Sequence, residues 1–540
     1  MSASSKKKLR KAEATAKLTE RQAAEQKEAK KLKTYSTIFC VVIIAMLIFA
    51  LIFGISKTVS NNGILERNTT AAIIGDHKIS GAEMNMFYMD SVNSYGQYLS
   101  MFGVDTTKPL DQQVRNIETG ATWADYFQDL ALENAKHVYA MCDLANTAGY
   151  TLPTDEQAVL DENLANAEFY ALMYYGYSDL ETYLKAIYGN GCTEELFNQY
   201  QTNLALADSY YNNYAEALTY TAEELRAFEG DAANQYSSYS FSYYTLPVDK
   251  FLTGGTTDEE GKTTYSAEEK AAAVAAAEEA AKALTADEIV TVEDLDAAIA
   301  ALAINAEVEN AASAKSINTA YSSISSNYRD WITSGDLEEG ARTYVSTKTT
   351  DAEGNETVSS YIVVMYLGTN DNKFPLVNVR HILVSYEGGT VDASGNTVYS
   401  EDEMKAAEAK AADLLAQYQS KGANADVFAE LAKNNSTDPG SKDNGGLYTD
   451  VYPGQMLEAF NDWCFAEDRK VGDTGLVQTD LGWHVLFFDG FSETTYRDFL
   501  LTNAKKKADV NAWYEAALAS VTATVTNDKY IDKDLVLSAG

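Results

Sequence analysis

The spacing of apolar residues divides the chain into four kinds of segment. Tyr35 to Ser56 runs 22 residues without a charge, enough at about 1.5 Å per residue to cross a hydrocarbon core of about 30 Å. It predicts a transmembrane helix at 35–56, left uncleaved because the apolar stretch outruns a signal peptide and no small-x-small site follows it. From Ala71 to about Gly230, a short apolar strand, a turn at Gly75-Asp76 and a Ser80 cap lead into apolar positions at helical spacing. Helices are expected at about 121–148, 154–175, 178–188, 193–218 and 221–229, opened by Thr, Ser or Asp, with Gly149, Gly176 and Gly189 closing three of them. They predict one all-helical domain at 71–235. Core packing is the default expectation for Tyr170, Tyr174, Tyr175 and Tyr177, a peptide-binding surface the alternative.

The pattern then changes to strands alternating with Ala-rich helices, and it does so twice, at 236–370 and 376–490. Each stretch opens with an apolar or aromatic strand (YSFSYYTLPV, LVNVRHILVS). Each passes through a Gly-rich polar loop and enters an Ala-rich helix (SAEEKAAAVAAAEEAAKAL, SEDEMKAAEAKAADLLAQY). Asp330-Trp331 and Asp462-Trp463 then precede a closing strand in each, SSYIVVMYLG and GWHVLFFDG. A tandem duplication with diverged copies is the reading, coincidence of two α/β units the alternative. The last stretch, 491–540, holds an amphipathic helix, TYRDFLLTNAKKKADVNAWYEAAL, whose apolar residues need a partner surface, and a tail of strand character.

Charge sharpens this picture. Residues 1–34 carry eleven Lys or Arg against four Glu, so the rest of the chain is at −44 within a total of −37. The basic tail places 1–34 in the cytoplasm and everything beyond 56 outside the membrane. So acidic an ectodomain is read first as a source of solubility; as a statement about partners it argues against nucleic acid and for neutral or basic polypeptides. Cys142, Cys192 and Cys464 are widely spaced and odd in number, neither a disulfide framework nor a metal cluster, and are expected as buried apolar side chains.

The chemistry concentrates in the second copy. VRHILV (379–384), FAELAKNNSTDPGSKDNGGLY (428–448), PGQMLEAFNDWCF (453–465) and VGDTGLVQTDLGWHVLFF (471–488) resemble the parvulin rotamase domain in order, spacing and type. The resemblance implies that His381 and His484 are the paired histidines beneath the active site, with Thr479 their polar partner and Asp438 beside the prolyl carbonyl. It likewise implies that Met456 and Phe460 form the socket for the proline ring, with Leu447 and Trp463 near its rim. It requires neither cofactor nor metal. The acidic loop 387–403 lacks the basic cluster of phosphorylation-specific parvulins, and the first copy, without histidine, GQM or Gly-Gly at the matching places, is expected to be inactive.

The whole order is similar to the PrsA and SurA foldases. That similarity implies a multidomain α+β chain: an N-terminal transmembrane helix, an all-helical chaperone domain, a degenerate parvulin-like α/β domain and a parvulin domain with a four-stranded antiparallel sheet. A C-terminal helix at 491–540 would complete the helical domain. The expected function is prolyl cis-trans isomerisation in the service of unfolded secreted polypeptides outside the cytoplasmic membrane. The alternative is a holdase in which the parvulin site is incidental. A homodimer is left open.

Overall fold

The computed structural model describes residues 62–350, 354–392, 394–531 and 533. The basic tail and the segment at 35–56 lie outside the described residues, among which no helix is long and apolar enough to cross a membrane. The described residues divide into two compact units: those up to 218 with those from 509 on, and those within 219–508.

The first unit is mainly helical, with long helices Gly81–Leu99, Trp123–Ala148, Thr154–Met173 and Glu194–Ala217. Three of their starts follow from side chains that accept the otherwise orphaned first-turn N–H groups. Ser80 accepts from Glu83 N, Thr193 from Leu196 N, and Thr122 forms a reciprocal capping box with Asp125. Tyr88, Phe127, Met141, Leu184 and Tyr200 fill the core, and Trp513 and Tyr514 of the C-terminal helix Tyr496–Ala519 pack against it. Trp513 stacks on Tyr214 at 3.9 Å between ring centroids.

Three expectations change here. The unit is not all-helical, because strand β1 (Thr70–Ile74) pairs with β2 (His77–Ser80) on one side and with Ala523–Val525 of the tail on the other. The boundary falls at 218, not 235. Helix Ala222–Glu229 goes with the second unit, where the buried Arg497 guanidinium pairs with Glu229 and donates to the Ala233 carbonyl oxygen. The tyrosines at the end of Thr154–Met173 are exposed, Tyr174 by 72%; Tyr170 and Tyr174 meet each other, and Tyr175 stacks on Tyr183.

The second unit contains two four-stranded antiparallel sheets of identical strand order. The first is built from β3 (Ser238–Pro247), β6 (Ala314–Ala320), β7 (Arg342–Thr350) and β8 (Glu356–Asn370), ordered β6-β3-β8-β7. The second is built from β9 (Pro375–Ser385), β12 (Leu447–Val451), β13 (Thr474–Thr479) and β14 (Gly482–Thr495), ordered β12-β9-β14-β13. Between β3 and β6 lies the small hairpin of β4 (Thr256–Thr257) and β5 (Thr263–Thr264), matched in the second sheet by β10 (Thr390–Val391) and β11 (Thr397–Val398).

The two hairpins share a motif, GGT-x-D at 254–258 and 388–392, closed by Tyr265-Ser266 and Tyr399-Ser400. Gly255 and Gly389 both sit at φ +82°, where a Cβ would meet a Thr methyl at 2.8 and 2.6 Å and the Tyr ring just beyond. Each donates its N–H to the glutamate of the following helix, Glu269 at 2.8 Å and Glu403 at 2.9 Å. Those helices, Ala267–Ala283 and Glu401–Ser420, bury Ala273, Ala277 and Ala281 in one case and Ala407 and Ala411 in the other. Small residues four apart leave a flat stripe on which the sheet can close.

Arg497, 8% exposed, holds the junction of the two sheets together. Besides Glu229 and Ala233 it donates to the Asp371 carbonyl oxygen at 2.9 Å and to Ser237 Oγ at 3.3 Å. A buried guanidinium needs this many acceptors, because an unpaired charge there would cost several kcal/mol.

Candidate active site

Alternation along β9 and β14 separates two faces of the second sheet. Ile382, Val384, Val485 and Phe487 turn to the helices. Val377, Val379, Leu486 and Phe488 turn the other way, toward Val451, Phe460 and Cys464. His381 and His484 belong to this second face, each 4% exposed, on neighbouring strands whose register sets Leu383 opposite His484 and His381 opposite Leu486. Their rings lie nearly parallel, 17° apart with centroids at 5.3 Å, and their Nδ1 atoms are 3.1 Å apart.

The hydrogen bonds run as one chain. His381 Nε2 is 2.9 Å from Asp438 Oδ2 and 3.0 Å from Ser441 Oγ, and His484 Nε2 is 2.8 Å from Thr479 Oγ1. A carboxylate accepts only, so His381 carries its proton on Nε2 when neutral. Its Nδ1 then accepts from His484 Nδ1–H, and His484 Nε2 accepts from the Thr479 hydroxyl. Ser441 and Tyr448 also donate to Asp438 Oδ2, Tyr448 at 3.0 Å, while Gly440 N–H reaches Oδ1 at 3.3 Å.

Electrostatics follow from these partners. The His381 hydrogen bond holds the Asp438 carboxyl well below the usual carboxylate range, against the opposing effect of burial and with further help from Ser441. Burial, and then the neighbouring His381, push His484 down to about 4, so it is neutral at pH 7. Burial and the adjacent Asp438 raise the Tyr448 hydroxyl, keeping it a donor. The site therefore presents one fixed anion at the end of a hydrogen-bonded polar chain that includes the neutral His484.

Phe460, 3% exposed, stands edge-on to both imidazoles at 5.4 Å, and Met456 packs into the same apolar cluster. The short helix Glu458–Cys464 carries Phe460, and the Asn461 carboxamide oxygen accepts from Gly454 N at 2.7 Å, fixing the turn that precedes it. Gly446, at φ +77°, brings β12 against β9: its carbonyl accepts from His381 N at 2.9 Å, and a Cβ there would lie 2.2 Å from the His381 oxygen.

The fold thus brings His381, Asp438, Thr479, His484, Met456 and Phe460 together, keeps Trp463 at the edge of the same apolar cluster and sets Leu447 apart. Leu447 lies opposite Arg380, on the face of the sheet away from the histidines, so the side chain of β12 nearest the site is Tyr448, opposite Val379. Trp463 packs on Gly475, where a Cβ would meet its Nε1 at 2.2 Å, under the Arg469 guanidinium at 3.9 Å. Ser441 and Tyr448 are the residues that sequence reading left out. Their signal was the close spacing of a hydroxyl three, and another ten, residues after Asp438. Cys142, Cys192 and Cys464 are buried, their thiols pushed up to about 12 by burial. Among the described residues no group of three or more His, Cys, Asp or Glu is arranged to hold a metal.

Residues 362–489 match the family of PPIC-type PPIASE domains. The chain is similar to Foldase protein PrsA 1 of Listeria innocua serovar 6a, at 32% identity over 30% of this chain and 44% of that protein. It is also similar to Chaperone SurA of Methylococcus capsulatus, at 31% over 22% of each. A solved structure of a peptidylprolyl isomerase (PrsA) from Bacillus anthracis is 24% identical, covering 28% of this chain and 59% of that one, with a TM-score of 0.17. The chain spans less than half the length of these curated relatives.

Proposed function

We propose that this chain, which carries a PPIC-type domain at 362–489, is a peptidyl-prolyl cis-trans isomerase and foldase acting on secreted polypeptides outside the cytoplasmic membrane. The observation that carries the reading is the hydrogen-bonded chain Thr479-His484-His381-Asp438 lying against Phe460. The reaction makes and breaks no covalent bond; its barrier, about 18–20 kcal/mol, is the lost resonance of the amide. A catalyst must therefore bind the twisted amide better than the planar one.

Phe460 and Met456 would seat the proline ring and exclude water from the planar dipole. Asp438 would supply the bias. Resonance places extra negative charge on the planar carbonyl oxygen, so a fixed anion beside it disfavours the planar form more than the twisted one. The two imidazoles, Ser441 and Tyr448 would hold that carboxylate ionised and aimed. The histidines would then serve as architecture and electrostatics, with no proton transferred.

In this reading residues 35–56 anchor the chain, 236–370 form a second, inactive copy of the 376–490 domain, and the first unit meets clients. The exposed Phe169, Tyr170, Tyr174 and Tyr175 favour a holdase function beside the isomerase. The test is turnover of a short Ala-x-Pro-Phe peptide by the full chain. Asp438→Ala is expected to lower kcat/KM by about 100-fold, and Met456→Ala chiefly to raise KM. Unchanged turnover in Asp438→Ala would remove the carboxylate from the mechanism, and absence of turnover in the folded wild type would leave the holdase function alone.

A further inference from the structure

The first unit holds a cleft of about 550 Å³ at the start of helix Trp123–Ala148. Its floor is aromatic: Trp123 and Tyr126 meet edge to face at 5.9 Å, Tyr95 adds to Tyr126 at 6.2 Å, and Phe102 lies 6.0 Å from Trp123. The other wall is the loop between helices Gly81–Leu99 and Trp123–Ala148, and it is a built structure. The Gln113 carboxamide accepts from Asp105 N at 2.8 Å and donates to the Asp105 and Lys108 carbonyls, Val114 bridges to Thr122, and Arg115 N donates to the Ala121 oxygen at 2.8 Å.

That loop sets two groups over the aromatic floor. Ile117 is 93% exposed and Phe102 62%, a large cost in wetted apolar area for a folded surface. The Arg115 guanidinium rests on the rings, 4.1 Å from the Tyr126 centroid and 5.3 Å from that of Trp123, and forms no ion pair among the described residues. The neighbouring Asp125 is already engaged, by Thr122 and by Lys533. In so acidic a chain, a cation held flat by two rings keeps its hydrogen-bonding fork available to an incoming acceptor.

We propose that this cleft binds an extended polypeptide segment presenting an aromatic or aliphatic side chain next to a carboxylate. The apolar side chain lies among Tyr95, Phe102, Ile117 and Trp123, and the carboxylate takes the Arg115 fork. The foldase reading enters only in making a polypeptide the ligand. The acidic shell sharpens the choice, because a carboxylate without an adjacent apolar anchor meets repulsion that one exposed guanidinium does not overcome.

The test is fluorescence anisotropy of the full chain with two labelled octapeptides that differ only in carrying Phe-Asp or Phe-Asn. The Phe-Asp peptide is expected to bind about fivefold more tightly. Arg115→Gln should erase that preference, while Ile117→Ser and Phe102→Ser, at positions too exposed to affect folding, weaken both peptides alike. Equal affinities in the wild type, a preference that survives Arg115→Gln, or no binding of either peptide would each overturn the proposal. Self-association that Arg115→Gln dissolves, in a chain that binds neither peptide, would instead assign the cleft to a second copy. Prolyl turnover measured in the same preparations reports on the isomerase site of the second unit separately.

Discussion

In the second sheet His381 stands opposite Leu486 and His484 opposite Leu383; in the first, Tyr243 stands opposite Val364 and Ile362 opposite Thr245. The apolar faces fix this correspondence, since Val377, Val379, Leu486 and Phe488 form one buried cluster and Tyr239, Phe241, Val364 and Tyr366 the other. Tyr243 and Ile362 thus occupy the places of the two histidines. Ser316, opposite Phe241, takes that of Tyr448, and Thr347, opposite Ser360, that of Thr479. The same frame carries a polar chain in one sheet and an aromatic, apolar patch in the other. Strand order, the glycine hairpin and the alanine-faced helix are therefore properties of the frame, and the histidine chain is an addition that the frame does not need in order to fold.

The largest test of that division is at Phe460 and its counterpart Tyr328, buried against Phe241. Phe460→Ala and Tyr328→Ala should each cost about 3–4 kcal/mol of local stability, read by amide hydrogen exchange of β14 and β8 respectively. Only Phe460→Ala should also reduce prolyl turnover. Equal losses of turnover in the two variants would make the first sheet a participant in catalysis.

A smaller effect is expected from pH. Because His484 titrates at about 4 in the folded chain and near 6.5 when unfolded, the unfolded state binds the extra proton first. The stability it contributes is complete above about pH 6.5 and is lost as pH falls toward about 4, on the order of 2–3 kcal/mol. Asp438, whose value is depressed, contributes stability that is complete above the ordinary carboxylate value and lost only below it, so it adds no slope between pH 7 and 4.5. Hydrogen exchange of β14 at pH 7 and 4.5 should show the loss, and His484→Ile, which installs the residue type of the first sheet, should abolish it. A slope that persists in that variant would place the titrating group elsewhere.

The smallest difference should be none at all. Gly255→Ala and Gly389→Ala both force a side chain into positive φ against a Thr methyl and a Tyr ring, so each should cost about 1–2 kcal/mol by the same exchange measurement. A cost confined to Gly389 would tie that hairpin to the site instead of to the frame.

How much of this could be read in the sequence depended on range. Helix starts were legible because a cap and its N–H lie three residues apart, as at Ser80, Thr122 and Thr193. The histidines, Asp438, Met456 and Phe460 were legible as a set because short motifs carry them. The pairing of β1 with residues 523–525 was not, since no local pattern announces a distant partner. Nor was the boundary at 218, which rests on Arg497 gathering Glu229, Ala233 and Asp371. Leu447 and Tyr448 are adjacent, and only the register of β12 on β9 decides which of them faces the histidines. The tyrosines near 174 are apolar enough to suggest a core, yet helix Thr154–Met173 buries only Leu160 and Ala171.

The sheet of the first unit also sets an order of events during synthesis. Ile73 finds its partner Thr524 about 450 positions later, so the strand on that edge of β1 cannot be in place until residues 523–525 have emerged. Closing so long a loop from a disordered chain is slow. Prior collapse of residues 219–508 into their own unit replaces that loop with a compact body and shortens the search. The first residues of the described fold are then among the last to be completed, and a chain truncated before 523 should fold its two four-stranded sheets while leaving β1 with a bare edge.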